Sequence, residues 1–423
     1  MLNNRKIKHY RKMNDYKSSA GITPFKIVIS VVLLCVLIFI GWSAYTPIYN
    51  LVMQFTKNEV VKVDKIEDIS DSSAVDTEDV NTSQSSTENE VKPNDDIIAA
   101  DTLEIKALYM PLDILSNPQK TQTFVNNTIK NHSNINTIMI DIKGQDGIIN
   151  IPTSNQIAIK SEAINKNSQI IAESIKIIKD SNIKIMGRIS AFKDPLSPFN
   201  IPSAQIKYMN TDYAWIDKSP EKGGKQWLNP YANEATEYIL DIANNSIKLG
   251  VNFILFDNVQ FPTGEALEKA TYGNISIGKS RSFALKSFMD KAINKIGNLK
   301  NKCFFYSTTY NAFNPNDLIY GGNQLDLSKE NITISLMLTQ FADVMFFNGT
   351  SYPNNQNEPD KSIDAMLTNI DNMIDNKSSM ALLQSFKFYG EAMSSDEITK
   401  QINVLDKHNI KNYILYNPNG IYN

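Results

Sequence analysis

Along residues 104 to 423, short apolar runs alternate with longer segments whose apolar positions recur every three and four residues. Alternation between those two periods is the mark of βα units wound around a parallel sheet. Strands are predicted at Glu104–Met110, Thr137–Lys143, Ile183–Ser190, Asn252–Asp257, Cys303–Thr308, Asp343–Asn348, Ala381–Phe386 and Tyr413–Asn417. Helices are predicted at 118–131, 165–180, 232–249, 280–298, 328–340, 361–376 and 395–408. The segment 232–249 is well marked, with acids in its first turns to suit the helix dipole and Gly250 placed to end it. Eight such strands predict an α/β fold of the (β/α)8 type, a TIM barrel spanning 101–423, better than an open doubly wound sheet.

Ahead of the barrel the pattern changes twice. Ile27 to Tyr45 is uncharged over nineteen residues, which at about 1.5 Å per residue reaches across the hydrocarbon of a bilayer. A secretory signal has a shorter apolar region and a small-x-small cleavage site. Here the run continues into Trp42 and Tyr45, residues suited to the membrane interface. We therefore expect a single transmembrane helix at 27–45. The flank 1–26, with Arg5, Lys6, Lys8, Arg11, Lys12, Lys17 and Lys26 against one acid, is expected to stay cytoplasmic and to leave the C-terminal domain extracellular. Residues 46–100, rich in Asp, Glu, Ser, Thr and Asn, are too poor in apolar surface to fold and are expected to be a disordered linker.

Charge adds to this division. The formal net charge of −3 is a cancellation: residues 1–58 carry +7, residues 59–96 carry −9, and the body is left at −1. A neutral body is not a nucleic-acid binder. With two Cys and three His, neither a disulfide framework nor a Cys/His metal site is expected. Cys35 falls in the predicted span and Cys303 in a predicted strand. No Gly-x-Gly-x-x-Gly follows the first strand and no phosphate-binding Gly-x-x-x-x-Gly-Lys occurs, so no nucleotide cofactor is called for. The loop DIKGQDG lacks the acid spacing of an EF-hand, and no metal is expected there.

In a (β/α)8 barrel, chemistry sits where the strands end. The second strand ends in Asp141 and Lys143, with Asp146 beyond; the third supplies Arg188, Lys193 and Asp194; the fourth ends in Asp257, Asn258 and Gln260. Further round come Tyr306 and Thr308, Asn348 and Tyr352, Gln384, then Tyr416 and Asn417, while Trp215, Asp217 and Trp227 precede the fourth strand. Aromatic faces among hydrogen-bonding groups suit a sugar ring. Asp257, closing the apolar run NFILF, stands at the barrel mouth either as a catalytic nucleophile or base, or as an ion-pair partner of Arg188 or Lys143. Asp141 precedes turn-forming residues that its carboxylate could equally bond. Arg188 has two roles open to it, clamping a ligand or neutralising Asp257. His132 and His408 fall on helices as surface or helix-end residues, and no Ser/His/Asp set assembles at the strand ends.

The strings IMIDIKGQDGIINIP, GRISAFKDPL, QWLNPYANEATEYILDIANNSIKLGVNFILFDNVQFPTG and YILYNPNGIY, in this order, resemble a bacterial family of glycoside hydrolases, the DUF4015 type. That resemblance implies a TIM barrel distantly similar to the α-amylase superfamily, commonly on extracytoplasmic proteins, with a carbohydrate polymer as partner. The family's fourth strand reads approximately Phe-Asp-Tyr-Val-Arg-Phe-Pro, matched here by Phe256 to Pro262. Asp257 thus holds the place of an amylase-like nucleophile, while Asn258 and Gln260 replace the family's Tyr and Arg. Where relatives carry an Asp after the fifth strand, this chain has Ser307-Thr308-Thr309, and a Tyr-Pro-Ser-His-Tyr-like stretch appears as Tyr352-Pro353-Asn354-Asn355. Glycoside hydrolysis ordinarily needs two carboxyl groups. Besides Asp257, the candidates are Asp141, Asp146, Asp194, Asp217, Glu265 and Glu391. Two readings follow: a membrane-anchored hydrolase of a cell-wall or surface polysaccharide, with Asp257, Asp141 and Arg188 as its catalytic set and Lys143, Trp215, Trp227, Asn258, Gln260, Tyr306, Tyr352, Gln384 and Asn417 binding substrate; or a degenerate barrel that binds glycan or docks an envelope partner without cleaving.

Overall fold

The computed structural model describes residues 104–296, 303–308, 320–322, 324–328, 331–337, 344–347, 350–353, 358–387 and 391–423. The expected basic tail, span at 27–45 and linker lie outside the described residues. Among the described residues, no helix is long and apolar enough to cross a membrane.

Eight parallel strands close into a barrel: β1 (Lys106–Tyr109), β2 (Thr137–Lys143), β3 (Lys184–Ser190), β4 (Phe253–Asp257), β5 (Cys303–Ser307), β6 (Ile332–Ser335), β7 (Met380–Gln384) and β8 (Asn412–Tyr416). Each pairs with its sequence neighbour, and β1 closes on β8 through Lys106↔Tyr413, Ala107↔Ile414 and Leu108↔Leu415. Helices α1 (Pro118–Asn131), α2 (Ser168–Asp180), α3 (Asn233–Lys248) and α4 (Arg281–Lys295) follow β1 to β4, and α5 (Pro359–Ile370) and α6 (Ser395–Lys407) follow β6 and β7. Their ends are written locally. The Asn117 side chain accepts the Lys120 N–H and Pro118 opens α1; Ser394 and Glu397 form a reciprocal capping box on α6. Gly250, at φ +107°, follows α3 as expected.

Period-two alternation sorts the strand residues into two cores. Ala107, Met139, Met186, Phe253, Leu255, Phe304, Leu382 and Ile414 fill the barrel, whereas Ile138, Ile140, Ile185, Ile254, Phe256, Phe305 and Ile334 meet the helices. A third, smaller core of Ile206, Trp215 and Trp227 organises the segments after β3 and β4. There Lys207–Tyr208 pairs antiparallel with Ala270–Thr271.

One strand is not where the sequence places it. The sixth barrel strand is Ile332–Ser335, inside the stretch expected to be a helix at 328–340, and Ile334 is paired with both Ser307 and Ala381. The expected strand Asp343–Asn348 instead supplies Val344–Phe347, paired antiparallel with Thr350–Pro353 in a separate two-stranded sheet. The cause is local, since Asn348-Gly349 separates the paired residues Phe347 and Thr350 and is a strong two-residue hairpin signal. A hairpin folded on itself is not available to the barrel, and the shorter ITIS run takes the place between β5 and β7.

Candidate active site

At the C-terminal mouth, alternation brings one inward residue from each strand into a ring: Tyr109, Asp141, Arg188, Asp257, Tyr306, Ser335, Gln384 and Tyr416. Apolar inward positions lie beneath them, so the ring is the floor of the mouth. Its centre is Arg188, whose Nε is 2.9 Å from Asp141 Oδ1 and 3.8 Å from Asp257 Oδ2. These two oxygens are therefore no farther apart than about 7 Å, short of the widest separation at which carboxyl pairs act in glycosidases. The three side chains remain 19%, 20% and 24% exposed for Asp141, Asp257 and Arg188, enough for a ligand to reach them.

Each member is held differently. Asp141 accepts a 2.7 Å hydrogen bond from the Tyr109 hydroxyl on Oδ2. Tyr109 stacks on Tyr416 at 4.6 Å between centroids, and the Arg188 guanidinium lies 6.0 Å from each ring. Burial works against the Arg188 charge, but Asp141 and Asp257 outweigh it and push its ionisation upward. Asp257 Oδ1 accepts the backbone N–H of Asn258 at 2.7 Å. Burial nevertheless lifts the Asp257 carboxyl above the usual carboxylate range; Arg188 and the Asn258 N–H oppose the shift, and Asp141 adds to it. Asn258 adopts φ +52°, a left-handed conformation that Asn tolerates better than most residues, and its Nδ2 donates to Ser190 Oγ.

Several residues expected to bind substrate lie elsewhere. Lys143 is fully buried and paired with Asp194, because the register shifts between Asp141 and Lys143 and its ammonium is absorbed behind the sheet. Trp215 and Trp227 are buried in the small third core rather than offered as platforms, their indole N–H groups donating to Ala266 O and Asp217 Oδ2. Asn417 is buried and bonds Ser385 O and Ile421 O; Gln384 donates to Phe386 O. Gln260 is buried, Asn258 and Tyr306 are half-buried at the mouth, and Tyr352 lies on the hairpin outside the barrel. Asn348 lies outside the described residues.

Of the candidate second carboxylates, Asp141 alone shares the cluster with Asp257. Asp146 Oδ1 caps its own loop at Ile148 N, Asp194 is buried with Lys143, Asp217 bonds Lys225 N and Trp227, and Glu265 pairs with Lys222. Tyr109 and Ser335 complete the ring with no sequence signal beyond their places as last inward positions of short strands. Among the described residues, no group of three His, Cys, Asp or Glu is placed to hold a metal ion.

A closed barrel with its polar residues gathered at the strand ends is the layout of (β/α)8 enzymes. The family model described as "Putative glycosyl hydrolase domain" (DUF4015) matches residues 107–422, and the chain belongs to that family. No curated protein matches by sequence. Among solved structures, the glycoside hydrolase domain of PgaB (BpsB) from Bordetella bronchiseptica is similar over 75% of this chain and 94% of that one, with a TM-score of 0.52 and 11% identity. A hypothetical protein from Ruminiclostridium thermocellum ATCC 27405 shares 23% identity over 47% of this chain and 96% of its own, with a TM-score of 0.41. The catalytic domain of β-amylase from Paenibacillus polymyxa shares 9% over 76% and 94%, with a TM-score of 0.46. The first of these shows a shared fold and nothing of substrate; the other two are too distant in shape to carry an argument.

Proposed function

We propose that this chain is a membrane-anchored glycoside hydrolase whose barrel, tethered by residues 27–45 on the outer side of the membrane, cleaves a cell-wall or surface polysaccharide. The observation that carries the reading is the convergence of Asp141 and Asp257 on Arg188 at an accessible barrel mouth. Of the roles of nucleophile and base, Asp257 takes that of base: a carboxyl lifted by burial exchanges its proton closer to neutral pH. Asp141, aimed by Tyr109 and Arg188, is the second carboxylate. Tyr416, half-buried and stacked on the buried Tyr109, gives an aromatic face beside these groups, the pairing a sugar ring needs.

Incubating the full-length chain with purified wall glycans tests this. Wild type is expected to release sugar, and Asp257→Asn and Asp141→Asn to release none. Equal product from wild type and Asp257→Asn would sink the assignment. The second reading, binding without cleavage, is favoured by Arg188 lying against both carboxylates at once; glycan retention by wild type with no released sugar would select it.

A further inference from the structure

A second ion pair lies a few residues from the first, with no exposure at all. Lys143 Nζ is 3.0 Å from Asp194 Oδ2, and both side chains are fully buried. Breaking such a pair costs more than replacing it with apolar groups, so its presence is no argument from stability alone. What it touches gives it a use. Asp194 Oδ1 accepts the N–H groups of Leu196 and Ser197, and Oδ2 accepts the Ser197 hydroxyl, which fixes the chain leaving β3. Gly147 of the preceding loop, at φ +84°, passes so close that a Cβ there would meet Asp194 Oδ1 at 2.7 Å. Lys143 Nζ also donates to Ser190 O at 2.9 Å. Ser190 is the strand partner of Asp257. Its hydroxyl donates to Lys193 O and receives the Asn258 amide, while Ala191 N and Phe192 N donate to the carbonyls of Asp257 and Asn258. Asn258, so tethered, keeps its left-handed turn and points its N–H at Asp257 Oδ1.

We propose that Lys143 and Asp194 are positioning residues for Asp257, acting through Ser190 and Asn258. This rests on the reading of Asp257 as the proton-transferring group, but its test does not need activity. The measurement is the pH dependence of carbodiimide labelling of Asp257 in the full-length chain, localised by tandem mass spectrometry, beside a thermal melt. Lys143→Met/Asp194→Asn removes both charges at nearly constant volume. With Ser190 and Asn258 released, the Asn258 N–H no longer favours the carboxylate, and the labelling midpoint is expected to move up by about half a pH unit or more. On a glycan that wild type cleaves, kcat is expected to fall at least about tenfold with KM within about twofold. Should the double variant fail to fold, Ser190→Ala removes the Asn258 tether and the bond to Lys193 O while leaving the Lys143–Asp194 pair in place, and is expected to raise the midpoint with the melting temperature nearly retained. An unmoved midpoint in a folded double variant, or in Ser190→Ala, overturns the proposal. A raised midpoint in a protein that releases no sugar keeps the positioning role and removes the hydrolase reading instead.

Discussion

Arg188 and His408 each sit between two carboxylates, one pair at the barrel mouth and the other in the helical layer, yet one acid of the first, Asp257, and one of the second, Asp364, are shifted in opposite directions. His408, at the C-terminal end of α6, places Nδ1 2.9 Å from Asp371 Oδ2 and Nε2 2.7 Å from Asp364 Oδ1. Asp364 is held below the usual carboxylate range, first by Lys407 and then by His408. Asp257, with Arg188 and Asp141 beside it, is held above that range by burial. A cation alone therefore does not set a carboxyl's ionisation; the balance between lost water and gained partners does. On the helical layer the partners win and the cluster ties α5 to α6. At the mouth lost water wins, and the Asp257 carboxyl stays raised at a cost in stability.

The largest effect that would test this contrast is on catalysis. Asp257→Asn is expected to lower sugar release by about 10²–10⁴-fold, whereas Asp364→Asn, outside the barrel, leaves the rate unchanged; equal losses in reducing-sugar assays would erase the distinction. Next comes stability. Arg188→Met leaves two acids facing each other and should cost toward the lower end of about 3–5 kcal/mol, given its partial exposure. His408→Ala should cost about 1–3 kcal/mol in urea unfolding, with no change in rate. A smaller pair of effects has opposite signs. The raised Asp257 weakens the fold as pH climbs through its native ionisation, so Asp257→Asn should melt above wild type near pH 7, the two curves converging below about pH 4. The lowered Asp364 contributes stability above the ordinary carboxylate range that is lost in acid. Asp364→Asn should therefore melt below wild type near pH 7, by under about 1 kcal/mol because the side chain is 34% exposed, with the deficit closing as pH falls. Like signs in the two melting profiles would break the comparison. Comparable in size, Tyr109→Phe removes one hydroxyl from Asp141 and should cost about 0.5–1.5 kcal/mol.

Much of this was legible in the chain, for reasons that differ by residue. Asp257 ends FILFD, where inward Phe253 and Leu255 fix its parity, so its place at the mouth follows from the strand itself. Arg188 obeys the same rule two residues beyond Met186. Lys143 does not, because the register shift after Asp141 carries it behind the sheet to Asp194. Trp215 and Trp227 have the composition of a sugar platform, but the insertion after β3 forms its own core with Ile206 and consumes them. The sixth strand was obscured because ITIS is only four residues long and the neighbouring VMFF is more apolar; its place depends on pairing to both β5 and β7.

The sequence by itself determined the period-two and helical patterning, seven of the eight barrel strands and the arrival of acids and an arginine at strand ends, because each is a property of residues a few positions apart. Tertiary structure alone decided that Asp141, 116 positions before Asp257, would be the carboxylate across the arginine, and that Lys143 and Asp194 would vanish into the interior. Barrel closure sets which strand ends face one another, and a one-residue change of register sets which side chain meets water.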